Sequence, residues 1–242
     1  MNSIKNIEVV YSPALLPFYQ LNNKIVVVID ILRATTSICV AFNTGVNKIL
    51  PVASPEECAL FKDFDFLCAA ERNAEKIPGF DMGNSPFEFQ NPLLKDRNIA
   101  FTTTNGTKAI KMCKELGAEK IVIGSFLNLA YLSNWLKNQH LDVVLLCAGW
   151  KNKVNLEDTL FAGAVVDMLE GHLIATCDSG LMAQQLFKTN AHQLILLVRK
   201  SSHAQRFKLL NHHTDDVAFC LQLNTTPVLP ILSGEYIINH IQ

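Results

Sequence analysis

Lys24-Ile25-Val26-Val27-Val28-Ile29-Asp30-Ile31-Leu32-Arg33-Ala34-Thr35-Thr36 is the stretch on which the fold turns. Its apolar run, Ile25 to Ile29, stops abruptly at an aspartate. An unbroken apolar run predicts a strand buried on both faces, because a strand with one wet face would alternate. The hydroxyl-rich segment after Arg33 predicts a helix start. In an open α/β sheet, ligand chemistry gathers beyond the carboxyl ends of such strands. Asp30 and Arg33 are therefore expected together at a crevice, one anionic and one cationic.

Working outward, strands and helices alternate. Residues 7–11 predict a strand closed by Ser12-Pro13. Residues 35–42 predict a helix ended by Gly45, and 48–52 a strand. Ser54-Pro55-Glu56-Glu57 opens a helix with Ser as cap and Pro first. Residues 65–70 form a further strand that ends in Glu71-Arg72-Asn73. The pattern then stops for 74–96, a long proline- and glycine-rich loop of the kind that usually carries function. It resumes with a strand at 99–102, a turn at 105–107, a helix at 108–116 stopped by Gly117, a strand at 120–123, a helix at 125–136 and a strand at 143–147. A constant offset aligns Asp30 with Thr102, Arg33 with Asn105, Gly45 with Gly117 and Lys48 with Lys120. Beyond lie helices at 155–169, 178–188, 191–210 and 215–223, and a strand or edge segment at 227–232.

The fold class expected is α/β: a layered α/β/α arrangement on a mostly parallel sheet, one domain over 1–242. Its repeat-like halves are about 24–73 and 97–152, with a C-terminal helical and edge segment at 176–242. Right-handed crossovers should bring all the strand ends to one edge.

A net charge of −1 with no basic cluster argues against a nucleic-acid or anionic-membrane partner. No apolar run approaches the length of a membrane span and no secretory leader is visible. Seven cysteines without a CxxC pair read as reduced, buried thiols, so the expected location is cytoplasmic.

The strand ends carry the chemistry. Thr102-Thr103-Thr104-Asn105-Gly106-Thr107 leads into a helix N-terminus, where N–H groups, hydroxyls and the helix dipole suit an anion. It lacks the glycine spacing and Lys-Ser/Thr ending of a phosphate-binding Walker loop, and plain N-capping explains it equally well. Arginine is scarce, five against sixteen lysines, and Arg33 and Arg72 both stand at strand ends. Either could grip an oxyanion in bidentate fashion or serve as a salt-bridge partner. Asp30, Glu71, Asp81, Glu157 and Asp158 could converge on a hard cation such as Mg²⁺. For Glu157 and Asp158 the plain alternative is compensation of a helix dipole, and for Asp81 a turn beside Gly83. Anion grip plus carboxylate-held Mg²⁺ points to phosphoryl chemistry. Two phosphatase signatures are missing. A haloacid-type enzyme needs a second Asp where Leu32 stands. A cysteine phosphatase needs an arginine at a set distance after its cysteine; Lys153 stands there after Cys147, and Arg72 follows Cys68 too closely.

Asp30-Ile31-Leu32-Arg33-Ala34-Thr35-Thr36, Glu71-Arg72-Asn73, Gly79-Phe80-Asp81-Met82-Gly83-Asn84-Ser85-Pro86, Thr103-Thr104-Asn105-Gly106-Thr107, Gly124-Ser125-Phe126-Leu127-Asn128, Cys147-Ala148-Gly149 and Leu156-Glu157-Asp158-Thr159 resemble, collinearly and over nearly the whole chain, the 2-phosphosulfolactate phosphatase (ComB) family. Ser202-His203 and Asp216 resemble its C-terminal pattern. The chain departs from it where Trp150-Lys151-Asn152 replaces a smaller, glycine-containing turn and where Ala204 replaces a glycine. The resemblance implies a Mg²⁺-dependent phosphatase that releases phosphate from 2-phospho-3-sulfolactate, a step toward coenzyme M. It implies catalytic roles for Asp30, Arg33, Glu71, Arg72, Glu157 and Asp158. Substrate contacts would come from Asn84, Ser85, Thr103, Thr104, Asn105, Gly106, Thr107, Ser125 and Asn128. Metal ligands would come from Asp30, Glu71, Asp81 and Asp158. The partner expected is a small anionic phosphomonoester. A homodimer is common among such enzymes, although no interface motif is visible. Two other readings stand beside this one: a phosphatase of another phosphorylated 2-hydroxy acid, and a non-catalytic anion-binding protein.

Overall fold

The decisive stretch folds as expected, into a strand whose side chains are buried on both sides of a wide sheet. A computed structural model describes residues 5–72, 75–209 and 215–240. Asn73 and Leu210, the latter the last residue of an expected helix, lie outside them. In chain order the first elements are β1 (Lys5–Val10), β2 (Lys24–Ile29), α1 (Ala34–Thr44), β3 (Lys48–Pro51), α2 (Pro55–Leu60), β4 (Phe66–Arg72) and β5 (Glu75–Lys76). Next come β6 (Asn98–Thr102), α3 (Gly106–Glu115), β7 (Lys120–Gly124), α4 (Leu129–Lys137), β8 (Asp142–Cys147) and α5 (Leu156–Met168). The chain continues through β9 (Leu173–Ala175), α6 (Asp178–Asn190), α7 (Leu194–Val198), α8 (Ser202–Leu209) and α9 (Asp216–Cys220) to β10 (Pro230–Ser233) and β11 (Tyr236–Asn239).

Alternate side chains of β2 serve two cores. Val26 and Val28 pack with α1 and α3, while Ile25, Val27 and Ile29 pack with α4 and α5. β8 divides likewise, with Val144 and Leu146 on the first face and Val143, Leu145 and Cys147 on the second. The period-two geometry of a strand therefore builds three layers, helices on both faces of the sheet. α5 is apolar nearly all round because α6 covers its outer side. A Cβ on Gly163 would fall 2.0 Å from the Ala183 carbonyl oxygen, so only glycine allows that approach.

The strand order is β5-β4-β6-β3-β11-β10-β7-β2-β8-β1-β9. Most neighbours are parallel, but the C-terminal hairpin β10–β11 sits at the centre. Of the strand or edge segment expected at 227–232, the strand holds from Pro230, and its place is central rather than at an edge. Gly234 supplies the positive φ of its two-residue turn. The pairings β7–β10, β10–β11 and β11–β3 are all antiparallel. Three reversals make the block β4-β6-β3 run against the block β7-β2-β8-β1-β9. A single edge for every strand end is therefore excluded. Exchanging β2 with β6, β3 with β7, β4 with β8 and β10 with β11 leaves the order of these eight strands unchanged apart from its direction. No helix among the described residues is long and apolar enough to cross a membrane.

Candidate active site

Opposed as they are, the ends of β2 and β6 meet. A Cβ on Gly106, the first residue of α3, would lie 2.7 Å from Ala34 Cβ and 3.1 Å from Asp30 Oδ2. Glycine is what lets the start of α3 close onto the start of α1 and onto the Asp30 carboxylate. Thr35 holds the Asp30 backbone: its Oγ1 accepts the Asp30 N–H (3.0 Å), and its own N–H and hydroxyl donate to the Asp30 carbonyl (3.0 and 2.9 Å). The carboxyl group takes a hydrogen bond from the Ala34 N–H at the start of α1. Burial pushes it up to about 6, opposed by the nearby His203 imidazole; the charges of Glu71 and, less strongly, Glu157 push it further.

Asp158 fastens two loops to each other. Its Oδ1 accepts the Ile31 N–H (2.9 Å) from the turn after β2, and its Oδ2 accepts the Gly149 N–H (3.1 Å) from the turn after β8. Burial, then Glu157 and Asp30, push its carboxyl well above the usual carboxylate range, against the pull of those two donors. Beside it Glu157 is fully buried, with Oε1 2.6 Å from His203 Nδ1. A contact that short is a hydrogen bond between the two side chains, and Asn155 Nδ2 also lies 3.3 Å from Nδ1. Among the described residues, Glu157 Oε2 has no hydrogen-bond partner.

Glu71, at the end of β4, accepts from Thr104 through both the backbone N–H (3.1 Å) and the hydroxyl (2.5 Å). This joins the ends of β4 and β6. Thr103 and Thr107 bond to each other around the first turn of α3. Arg72 donates to its neighbour's carbonyl oxygen (2.7 Å) and, with Thr103, Thr104, Thr107, Lys108 and Lys111, lines a cleft of about 800 Å³. On another side, the buried Arg33 is ion-paired with Asp216, whose second oxygen accepts from Ser85 Oγ (2.9 Å). Asn84 is buried nearby in sequence, and its Oδ1 is unpartnered among the described residues.

The arrangement is a buried group of carboxylates, one imidazole in contact with it, and a hydroxyl-rich helix start on a cleft of mixed charge, where Arg72, Lys108, Lys111 and Lys114 face Glu57, Glu115 and Glu235. Comparison with known proteins agrees with that chemistry. The family model for 2-phosphosulpholactate phosphatase matches residues 10–235. A protein of Symbiobacterium thermophilum called probable 2-phosphosulfolactate phosphatase is 40% identical over 223 residues, covering 90% of this chain and 94% of that one. Proteins of the same description from Caldanaerobacter subterraneus subsp. tengcongensis (37% identical; 88% and 90% covered) and Thermotoga maritima (36%; 88% and 91%) are also similar. The chain belongs to the 2-phosphosulpholactate phosphatase family.

Within this family member the structure sorts the expected residues. Asp30, Glu71, Glu157, Asp158, Thr103, Thr104, Gly106 and Thr107 are linked by direct contacts or by mutual charge effects, with Asn105 standing just before α3. Arg33 and Ser85 are tied to Asp216, so Arg33 carries a structural ion pair rather than a bare guanidinium. Three further expected residues make backbone contacts. The exposed Asp81 accepts the Cys68 N–H (2.7 Å) from β4. Asn128 accepts the Ser125 N–H (2.9 Å) and donates to the carbonyls of Ile123 (3.2 Å) and Val228 (3.1 Å). These bonds close the turn after β7 onto the segment leading to β10, while the buried Ser125 hydroxyl has no partner among the described residues.

Reasoning from sequence missed Arg206. Its guanidinium carbon lies 3.4 Å from the Trp150 ring centroid, and the charges of Glu157 and Glu71 act on it. Scarcity of arginine was the available signal, but α8 showed no strand end to point at it.

Proposed function

We propose that this chain hydrolyses 2-phospho-3-sulfolactate to 3-sulfolactate and phosphate with Mg²⁺ as cofactor. The observation that carries the reading is the buried acidic group Asp30, Glu71 and Glu157, with Asp30 raised to about 6 in part by its acidic neighbours. Such an excess of negative charge suits a cation. No ready-made group of three or more ligating side chains occurs among the described residues. Mg²⁺ fits that sparse donor set, because it is commonly held by one or two carboxylates with water and substrate oxygens. Asp30 and Glu157, whose Oε2 is unpartnered, would hold it, with Glu71 adjoining. When bound, Mg²⁺ would neutralise charge on the phosphoryl oxygens.

The chain's own residues do the rest. Gly106 and Thr35 fix Asp30 against the start of α3. Thr104 orients Glu71. His203, hydrogen-bonded to Glu157 through Nδ1, holds that side chain still. Asp158 keeps the turns after β2 and β8 at fixed separation, a positioning role in place of the catalytic or metal-binding one first expected. Arg72 and the helix start at Thr103-Thr107 offer cationic and N–H-rich surface to the anionic substrate. Seven free cysteines suit a reducing cytoplasm, and a place on the way to coenzyme M follows from the family resemblance.

The test is phosphate release from a panel of phosphomonoesters, with and without EDTA. The reading requires 2-phospho-3-sulfolactate to be preferred, activity to vanish with EDTA and Mg²⁺ to restore it. Equal turnover of phospholactate, or no phosphate release at all, would refute it.

A further inference from the structure

Trp150 stands where the chain departs from the family pattern, and the structure gives it an occupation. It opens a tight hairpin in which Trp150 and Lys153 exchange backbone hydrogen bonds (3.1 and 3.0 Å). Lys151 and Asn152 at the tip both have positive φ, 51° and 60°. That is the backbone of a two-residue hairpin turn whose twist matches its flanks. Its base is fixed twice: Gly149 donates to Asp158, and Ser12 Oγ donates to the Asn152 carbonyl (2.7 Å). The indole is thus carried on a stiff support joined through Asp158 to the turn that follows Asp30.

Arg206 lies flat on this indole. Stacking holds a guanidinium in place while leaving its edge for other partners. Among the described residues, its Nε and Nη2 have neither a hydrogen-bond partner nor contact with solvent. These two donors share one edge of the guanidinium plane, the edge that meets two oxygens of one oxyanion side by side. A desolvated cationic donor left unpaired is costly, and such groups occur where a ligand completes them. Glu157 and Glu71 are near enough to act on Arg206, so this edge adjoins the acidic group. Arg33 is engaged with Asp216 and cannot serve the same purpose unchanged.

We infer that Arg206, held by Trp150, is the specificity-determining residue that grips the non-reacting oxyanion of the substrate, a sulfonate or carboxylate, through Nε and Nη2. This rests on the phosphatase reading and extends it by assigning the substrate's second anionic group a partner in the chain. Lysine, a point charge without the paired edge, is an inadequate replacement.

The experiment compares wild type with Arg206→Ala, Arg206→Lys and Trp150→Leu on 2-phospho-3-sulfolactate and on glycerol 2-phosphate, which has no second anion. The first two variants should raise KM for 2-phospho-3-sulfolactate by about 100-fold, kcat changing far less. Trp150→Leu should raise it by about 5-fold, the worth of one stacked cation. For the Arg206 variants, kcat/KM should fall at least about 10-fold further on 2-phospho-3-sulfolactate than on glycerol 2-phosphate. Equal losses on both substrates, or full retention by Arg206→Lys, would overturn the inference. Calorimetric binding of 3-sulfolactate separates it from the hydrolase reading. If the wild type releases no phosphate, the hydrolase reading fails. Binding that is lost in Arg206→Ala would still support the subsite, whereas absent or unaltered binding would overturn it.

Discussion

Asp158→Asn tests whether the site is held together by one carboxylate that serves two backbone donors. In the native protein both oxygens accept, from Ile31 and from Gly149. An asparagine keeps one acceptor and turns an NH₂ toward the other N–H. One buried donor then goes unpaired, which costs about 1–3 kcal/mol. Because burial, Glu157 and Asp30 already hold the carboxyl well above the usual carboxylate range, little charge assistance is lost with it. The net loss should be about 1–3 kcal/mol, or about 2–12 °C in Tm for a chain of this size. Urea unfolding followed by tryptophan fluorescence and a thermal scan at pH 7 would measure it. Phosphate release should fall as well, because the turns after β2 and β8 lose their common tether. An Asp158→Asn protein as stable as wild type, or more so, would refute the reasoning and leave Asp158 a burdensome charge with no positioning role.

Three further outcomes are expected. Asp30, raised from 3.8 to about 6, keeps its proton in the folded state where the unfolded chain has lost it. Its contribution therefore falls as pH rises from about 4 to about 6, by roughly 3 kcal/mol at most, and Asp30→Asn should gain on wild type over that window in urea midpoints while losing activity. Removing His203 leaves the fully buried Glu157 carboxylate without its Nδ1 partner. His203→Ala should therefore cost about 3–5 kcal/mol, and adding Glu157→Gln should restore at least about 1 kcal/mol in a double-mutant cycle. Gly106→Ala places a methyl group 2.7 Å from Ala34 Cβ and 3.1 Å from the Asp30 carboxylate. Overpacking of about 1–3 kcal/mol should exceed the roughly 1 kcal/mol gained in helix propensity, and melting together with phosphate release would show stability and activity falling together.

Much of this was legible before any coordinates. The apolar run Ile25–Ile29, the glycine stops at Gly45 and Gly117 and the capped start at Ser54 each report local energetics that tertiary packing did not override. Asp30, Glu71 and the Thr103–Thr107 turn were expected at strand ends, and the structure places them there. The C-terminal hairpin was missed although Ser233-Gly234-Glu235 lies between two apolar runs, a turn signal in the right place. Its central position in the sheet had no local signature, because which strand neighbours which depends on contacts between distant residues. The backbone contacts of Asp81 and Asn128 had no local signature either: a carboxylate or amide beside a motif looks alike whether it meets a ligand or a backbone N–H.

By itself the sequence determined the alternation of buried strands and capped helices, since hydrophobic period and capping act within a few residues. It also determined the inventory of acidic, hydroxyl and guanidinium groups from which the chemistry is made. Only the tertiary structure decided that two opposed blocks of strands bring their ends together, that Arg33 is paired with Asp216, and that Arg206 stacks on Trp150. Those outcomes depend on burial and on partners far along the chain, and the strength of a charge is set by what surrounds it once water has been removed.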